Sequence, residues 1–274
     1  MSEEVQTRLA ATVLLARDGL HGLELFMVVR HHEIDFASGA MVFPGGSVDA
    51  ADADPRIRIL ADGVDALDDS ELTVRAAAAR EAFEECGVLY AREAGSADLV
   101  EGARARELGT RYRARLESGD ITLADVVEQE NLRLALGEFV HFAHWVTPAN
   151  MPKRFDTHFF LARAPADHRL EHDGSEAVDS VWIRPADACA AADEGTRTVI
   201  FPTRLNLEKI GQSESVAAAI EHARTAPVVC VRPQVEKAGG GRLLRIPLAA
   251  GYGAAEFFVA GNAGQRAVIE RRGV

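Results

Sequence analysis

The chain has 274 residues, 47% hydrophobic and 26% charged. These proportions exclude disorder of the whole chain and supply apolar material for a core. Lys and Arg total 30 against 42 Asp and Glu, a formal charge of -12, which argues against a nucleic-acid surface because phosphate binding needs cations to displace counterions. An anionic substrate held through a metal stays open, since carboxylates recruit the metal first. At roughly 150 residues per domain, the length allows one large domain or two small ones.

Cys86, Cys189 and Cys230 are widely spaced and form no CxxC pair, so a structural zinc site of that type and a disulfide framework are not expected. A reducing cytoplasm fits this usage. The N-terminal apolar run is broken by Arg17 and Asp18. It predicts neither a signal peptide nor a membrane span, and no other stretch nears the roughly 18 apolar residues a span needs.

In chain order, Arg8 to Arg17 reads as a buried strand and Leu23 to Arg30 as its hairpin partner, across a turn at Asp18-Gly19 and His21-Gly22. A short strand, Ala40 to Phe43, leads into a turn at Pro44-Gly45-Gly46. Residues 47–70 are rich in Asp and poor in periodic apolar content, and read as a solvated acidic excursion with a short helix around Pro55 to Ala61. Ser70 to Leu89 predicts a strong helix, with Ser70 as N-cap and Gly87 as its stop. Residues 91–136 carry apolar residues at helical spacing throughout, split at Gly119-Asp120.

Strands are expected at Phe139 to Val146, Thr157 to Ala164 and Val178 to Ile183, and a helix from Pro185 to Asp193. One or two helices follow from Pro202 to Arg224, then short strands over 227–260 around Gly239-Gly240-Gly241. The mixture predicts an α+β fold with an inserted helical segment, without internal repeats. His141, His144 and His158 alternate with aromatics on strands, and read as partly buried structural residues rather than metal ligands.

The informative stretch is Arg80-Glu81-Ala82-Phe83-Glu84-Glu85-Cys86-Gly87-Val88. On a helix, Glu81 shares a face with Glu84 and Glu85. Like charges at that spacing repel by roughly 0.2–0.5 kcal/mol per pair, and Arg80 offsets part of this through Glu84. A hard divalent cation would offset the rest. Taken alone, the helix reads first as a solvated acidic face. The Gly turn before it changes the balance, because a backbone without side chains can approach a metal or a diphosphate closely.

With the turn and helix together, the sequence resembles the Nudix hydrolases. Their box reads Gly, five residues, Glu, seven residues, then Arg-Glu, an aliphatic residue, one residue, Glu-Glu, one residue, Gly and a second aliphatic residue. Gly46 matches the first Gly and residues 80–88 the second half, with the small Ala82 at the first aliphatic position. Gly46 to Arg80 spans 34 positions, so about twenty residues interrupt the box. Leu72 occupies the place of the early Glu counted back from Arg80, and Glu71 is its nearest substitute. This interrupted form resembles the subgroup of the peroxisomal coenzyme A diphosphatase of animals. Trp145, Thr147-Pro148, Lys153 to Ala162, Glu176, Val181 to Pro185 and Pro202-Thr203 are similar to the same subgroup.

The resemblance implies a Nudix-type α/β/α sandwich with a mixed sheet. A single domain would span 1–274, with an acidic insert at 47–70, a helical insert at 91–136 and a C-terminal extension from about 226 to 274. It implies a metal-dependent hydrolase of a diphosphate linkage. Mg2+ or Mn2+ would be held by Glu84, Glu85, Glu81 and the Gly46 carbonyl, with Glu81 as ligand or general base and Glu176 as a weaker candidate base. Arg80 would orient the carboxylates.

A coenzyme A signature before the box is matched in part, by Gly39 and Phe43-Pro44-Gly45-Gly46, with Arg30 at its first Arg and Asp35 in place of its second. Arg30, Phe43 and Gly45 are therefore candidate substrate contacts, although Arg30 is equally a structural strand-end residue. The substrate expected first is coenzyme A or an acyl derivative. ADP-ribose, NADH or another nucleoside diphosphate derivative is the enzymatic alternative, and a non-catalytic ligand-binding module the alternative of another class. A homodimer is implied only by analogy with the family.

Overall fold

The apolar run near the start of the chain becomes a central strand because both its faces are apolar. In the computed structural model, which describes residues 6–31, 39–171, 177–260 and 268–272, β1 (Arg8–Gly19) and β2 (Gly22–Arg30) form the expected hairpin. Ala11, Val13 and Leu15 of β1 enter one core, while Leu14 and Ala16 enter the other. A strand buried on both sides loses the polar alternation of a half-exposed one.

Next come β3 (Met41–Val42), β4 (Gly45–Ser47), a single 3-10 turn over Ala50–Ala53, α1 (Arg56–Leu60) and α2 (Asp69–Cys86). The second half of the chain supplies β5 (Ala91–Glu93), α3 (Gly102–Glu117), α4 (Leu123–Gln129), β6 (Leu132–Leu134), β7 (Val140–Val146), β8 (Phe155–Arg163) and β9 (Ala177–Ile183). It continues with α5 (Pro185–Glu194), α6 (Phe201–Ile210), α7 (Val216–Thr225) and β10 (Cys230–Val231), and ends in β11 (Gln234–Ala238), β12 (Gly241–Arg245), β13 (Glu256–Ala260) and β14 (Val268–Arg272).

The main sheet runs β10-β7-β8-β1-β2-β3, with β4 beside β1 and β9 beside β2. The β1–β8 and β10–β7 pairs are parallel and the others antiparallel. Helices α2, α3 and α4 cover one face through one hydrophobic core. On the other face, α5, α6, α7 and the antiparallel sheet β11-β12-β13-β14 share a second core. The architecture is thus the expected α+β sandwich with a mixed sheet. The tail is tied down by a buried relay in which Trp145 Nε1 donates to Tyr252 Oη at 2.8 Å and Tyr252 donates to Asn206 Oδ1 at 2.7 Å. Among the described residues no helix is long and apolar enough to cross a membrane.

Several local expectations need correction. The Pro44-Gly45-Gly46 turn continues directly into β4, whose Gly46 pairs with Ala11 of β1. The segment 91–136 is not helical throughout, because its ends pair as an antiparallel β5–β6 ribbon. Leu132, Arg133 and Leu134 alternate in burial, a strand period too short to register in a helical window. The N-cap of the carboxylate helix is Asp68, not Ser70. Asp68 accepts from Glu71 N at 2.8 Å while Glu71 Oε2 accepts from Asp68 N at 3.1 Å, a reciprocal capping box. Gly87 ends the helix as expected, at φ 70°.

The capping box sits at the far end of α2 from its carboxylates. Asp68→Ala is expected to lower stability by about 1 kcal/mol without changing divalent-ion affinity, which thermal unfolding and an ion titration on the same variant would check.

Candidate active site

The carboxylate face of α2 is built around one buried guanidinium. Arg80 is 7% exposed. Its Nε and Nη2 donate to the two oxygens of Asp52 at 2.9 and 3.0 Å, and Nη2 also donates to the Ser47 carbonyl at 2.9 Å. Nη1 donates to Glu84 Oε2 at 2.7 Å and lies 2.9 Å from Glu81 Oε1. Burial opposes the charge on Arg80, but Asp52, Glu81 and Glu84 outweigh it, so its pKa is raised and it stays cationic.

The carboxylates are held at the cost of their hydration. Glu81 is 7% exposed, and burial pushes its pKa up to about 8 against the pull of Arg80. Burial also raises Glu84. Gly46 of β4 faces Glu81 so closely that a Cβ there would lie 2.5 Å from Glu81 Oε1, so a larger residue would push the carboxylate out of this position. Gly45 donates its N–H to Glu85 Oε2 at 2.9 Å. Its φ of 148° and a would-be Cβ 2.3 Å from the Ala11 carbonyl likewise demand glycine. The two glycines and three glutamates named from the sequence are therefore brought together.

These residues fit a hard divalent cation. Glu84 Oε1 is buried and has no hydrogen-bond partner among the described residues, an arrangement that leaves a desolvated acceptor unmatched unless a cation meets it. Three carboxylates and the backbone of a side-chain-free turn make an all-oxygen donor set of the type Mg2+ and Mn2+ prefer.

A shallow cleft adjoins Glu85. Arg30, Phe43, Gly45 and Glu85 line it with Val28, Val42 and Ala177. Arg30 stands where β2 breaks register against β9. Phe43 is 4% exposed, so its ring is chiefly a core residue that walls the cleft. Glu176, the alternative base, lies outside the described residues.

The acidic excursion is not a solvated loop. Asp52 is 3% exposed and its Oδ2 also accepts from Asp49 N at 2.8 Å. Ile57, Ala61 and Val64 enter the core beside α2. Glu71, the suggested substitute for the early Glu, instead serves the capping box of α2. Asp52 is the residue that sequence reasoning missed. Counting back from Arg80 lands on Leu72, but counting six positions forward from Gly46 lands on Asp52, an acid at the offset of the early Glu. The interruption therefore falls after this acid, between Asp52 and the body of α2. Arg113 of α3 also went unremarked. Its Nε and Nη2 donate to the Glu84 carbonyl at 2.9 and 2.6 Å, placing a cation against the C-terminal turn of α2, where the helix dipole favours it.

The family described as the NUDT19 Nudix domain matches residues 61–204, more than half of the chain. A curated relative from Caenorhabditis elegans, "Putative nudix hydrolase 7", is 26% identical over 231 residues, covering 82% of this chain and 68% of the relative. Among solved structures, a NUDIX hydrolase from Alicyclobacillus acidocaldarius is 25% identical with a TM-score of 0.63, covering 79% of this chain and 96% of that one.

Because the folded pKa of Glu81 lies above its unfolded value, its contribution to stability is complete below about pH 4.5 and is lost as pH rises through about 8. Chelator-treated protein should therefore melt at progressively lower temperature across that window. Glu81→Gln should flatten the decline, and an unchanged decline in that variant would count against the assignment.

Proposed function

This chain belongs to the Nudix hydrolases, and from that premise we propose that it is a metal-dependent diphosphatase of coenzyme A or an acyl-coenzyme A. The products would be a phosphopantetheine fragment and adenosine 3',5'-bisphosphate, with Mg2+ or Mn2+ as cofactor. The observation that carries the proposal is the shared position of Glu85. Its carboxylate is anchored by the Gly45 N–H and lines the same cleft as Arg30 and Phe43, the residues of the partial coenzyme A signature. The interrupted box and its resemblance to the coenzyme A diphosphatase subgroup point the same way.

Glu84, Glu85, Glu81 and the Gly46 carbonyl would hold the ion. When bound, a divalent ion of this kind neutralises diphosphate charge and lowers the pKa of a coordinated water. Arg80 fixes Glu84 through one hydrogen bond and Glu81 through an ion pair, so neither carboxylate must be ordered at the moment of reaction. Glu81 serves as a further ligand or takes the proton of the attacking water. Arg30, which lines the same cleft, would place a cation beside a substrate phosphate. The carboxylate set, with its unmatched Glu84 oxygen, also favours catalysis over simple ligand binding. Two desolvated acids, Glu81 and Glu84, beside a third at Glu85 have no use in a module that only recognises an anion.

The experiment is product identification by mass spectrometry from coenzyme A, acyl-coenzyme A, NADH and ADP-ribose with Mg2+ or Mn2+, comparing wild type with Glu84→Gln. Coenzyme A or its acyl form is expected to yield phosphopantetheine-containing product, with turnover reduced at least about 100-fold in the variant. Cleavage of ADP-ribose or NADH instead would overturn the substrate assignment. Binding without turnover of any compound would favour the non-catalytic module.

A further inference from the structure

A second cluster of ligating groups lies on β7 and β8 of the main sheet, near Glu71 and Arg75 in the N-terminal half of α2 rather than near that helix's carboxylate end. β7 and β8 pair so that His144 faces His158 and Val146 faces Asp156. Side chains two apart on a strand share a face, so Asp156 and His158 project together, with His144 beside them. One ligand atom from each of His144, Asp156 and His158 lies within 4.8 Å of the others. His144 Nε2 is 2.5 Å from Asp156 Oδ1, and His158 Nε2 is 3.9 Å from the same oxygen. Ligands at about 2.0–2.1 Å around a tetrahedral ion sit roughly 3.3 Å apart. The two observed separations bracket that distance, so small side-chain rotations would centre an ion. The three side chains are 20%, 34% and 20% exposed, which leaves an entry path from solvent.

The surroundings support ligation rather than packing alone. His158 Nδ1 is 3.2 Å from His141 Nε2, a contact that occupies one ring nitrogen and leaves Nε2 towards Asp156. Histidines that bind metals are commonly oriented by just such a contact at the other nitrogen. His144 and His158 are stacked, with centroids 4.2 Å apart. From the other side, Cys230 of β10 is in parallel register with His144. It is exposed and forms no disulfide.

We propose that His144, Asp156 and His158 form a second cation site for a borderline transition-metal ion of the Zn2+ class, with an open fourth position beside Cys230. Two imidazoles and a carboxylate select such an ion over Mg2+, which prefers oxygen alone. Because the ligands come from β7 and β8 and the fourth position adjoins β10, an occupied site would pin the start of the C-terminal segment to the main sheet.

The test is metal content after equilibrium dialysis of the full chain against Zn2+ in a large excess of Mg2+, which keeps the all-oxygen site filled. Wild type and Glu84→Gln are each expected to retain one Zn2+ per chain and to melt at a higher temperature with Zn2+ than without. His158→Asn and Asp156→Asn are expected to lose both effects, and His144→Gln provides an independent variant if either fails to fold. Three results would overturn the proposal: no Zn2+ retained by wild type, equal retention in all the cluster variants, or loss confined to Glu84→Gln.

Discussion

The site depends on a buried cation surrounded by acids. Arg80 is nearly inaccessible, yet every face of its guanidinium is met by Asp52, Glu81, Glu84 or the Ser47 carbonyl. A buried charge is tolerated only when it is paired and hydrogen-bonded in this way. The arrangement works in both directions. The acids keep Arg80 charged, and Arg80 lets Glu81 and Glu84 sit close together in a desolvated groove without a bound ion. One oxygen of Glu84 has no hydrogen-bond partner among the described residues, as a cation-binding centre requires.

This cluster also explains how an interrupted motif remains one structural unit. The glycine turn and Asp52 come from one end of the insertion, and the helix from the other. Asp52 and the Ser47 carbonyl close the gap by gripping Arg80, while β4 pairs with β1 and brings Gly46 against Glu81. Behind the helix, α3 of the helical segment adds Arg113 against the Glu84 carbonyl. The cleft lies beside this assembly, and its Arg30, Gly45 and Glu85 sit on β2, β4 and α2.

Much of this was legible in the residues, for identifiable reasons. The first hairpin, the carboxylate helix, its Gly87 stop and the later strands are long periodic segments, and their apolar spacing states their period directly. The glycines and glutamates of the site follow from a dense local motif. Asp52 was hidden because an ion pair across 28 positions has no periodic signature; only the count from Gly46 points to it. The β5–β6 ribbon was hidden because three-residue strands leave too little alternation between helices. Asp68 displaced Ser70 as the cap because its carboxylate could complete a reciprocal box with Glu71. The gathering of His144, Asp156 and His158 depends on strand register, which no local stretch of sequence specifies.

On the proposed reading, Asp52 acts through Arg80 to set the carboxylates in ion-binding geometry. This is tested most directly by titrating Mn2+ into wild type and Asp52→Asn, following the free ion by electron paramagnetic resonance. The variant is expected to stay folded but to lose about 3 kcal/mol of stability, and its Mn2+ affinity to fall at least tenfold although no proposed ligand has been changed. Wild-type Mn2+ affinity in a folded Asp52→Asn protein would contradict that reading.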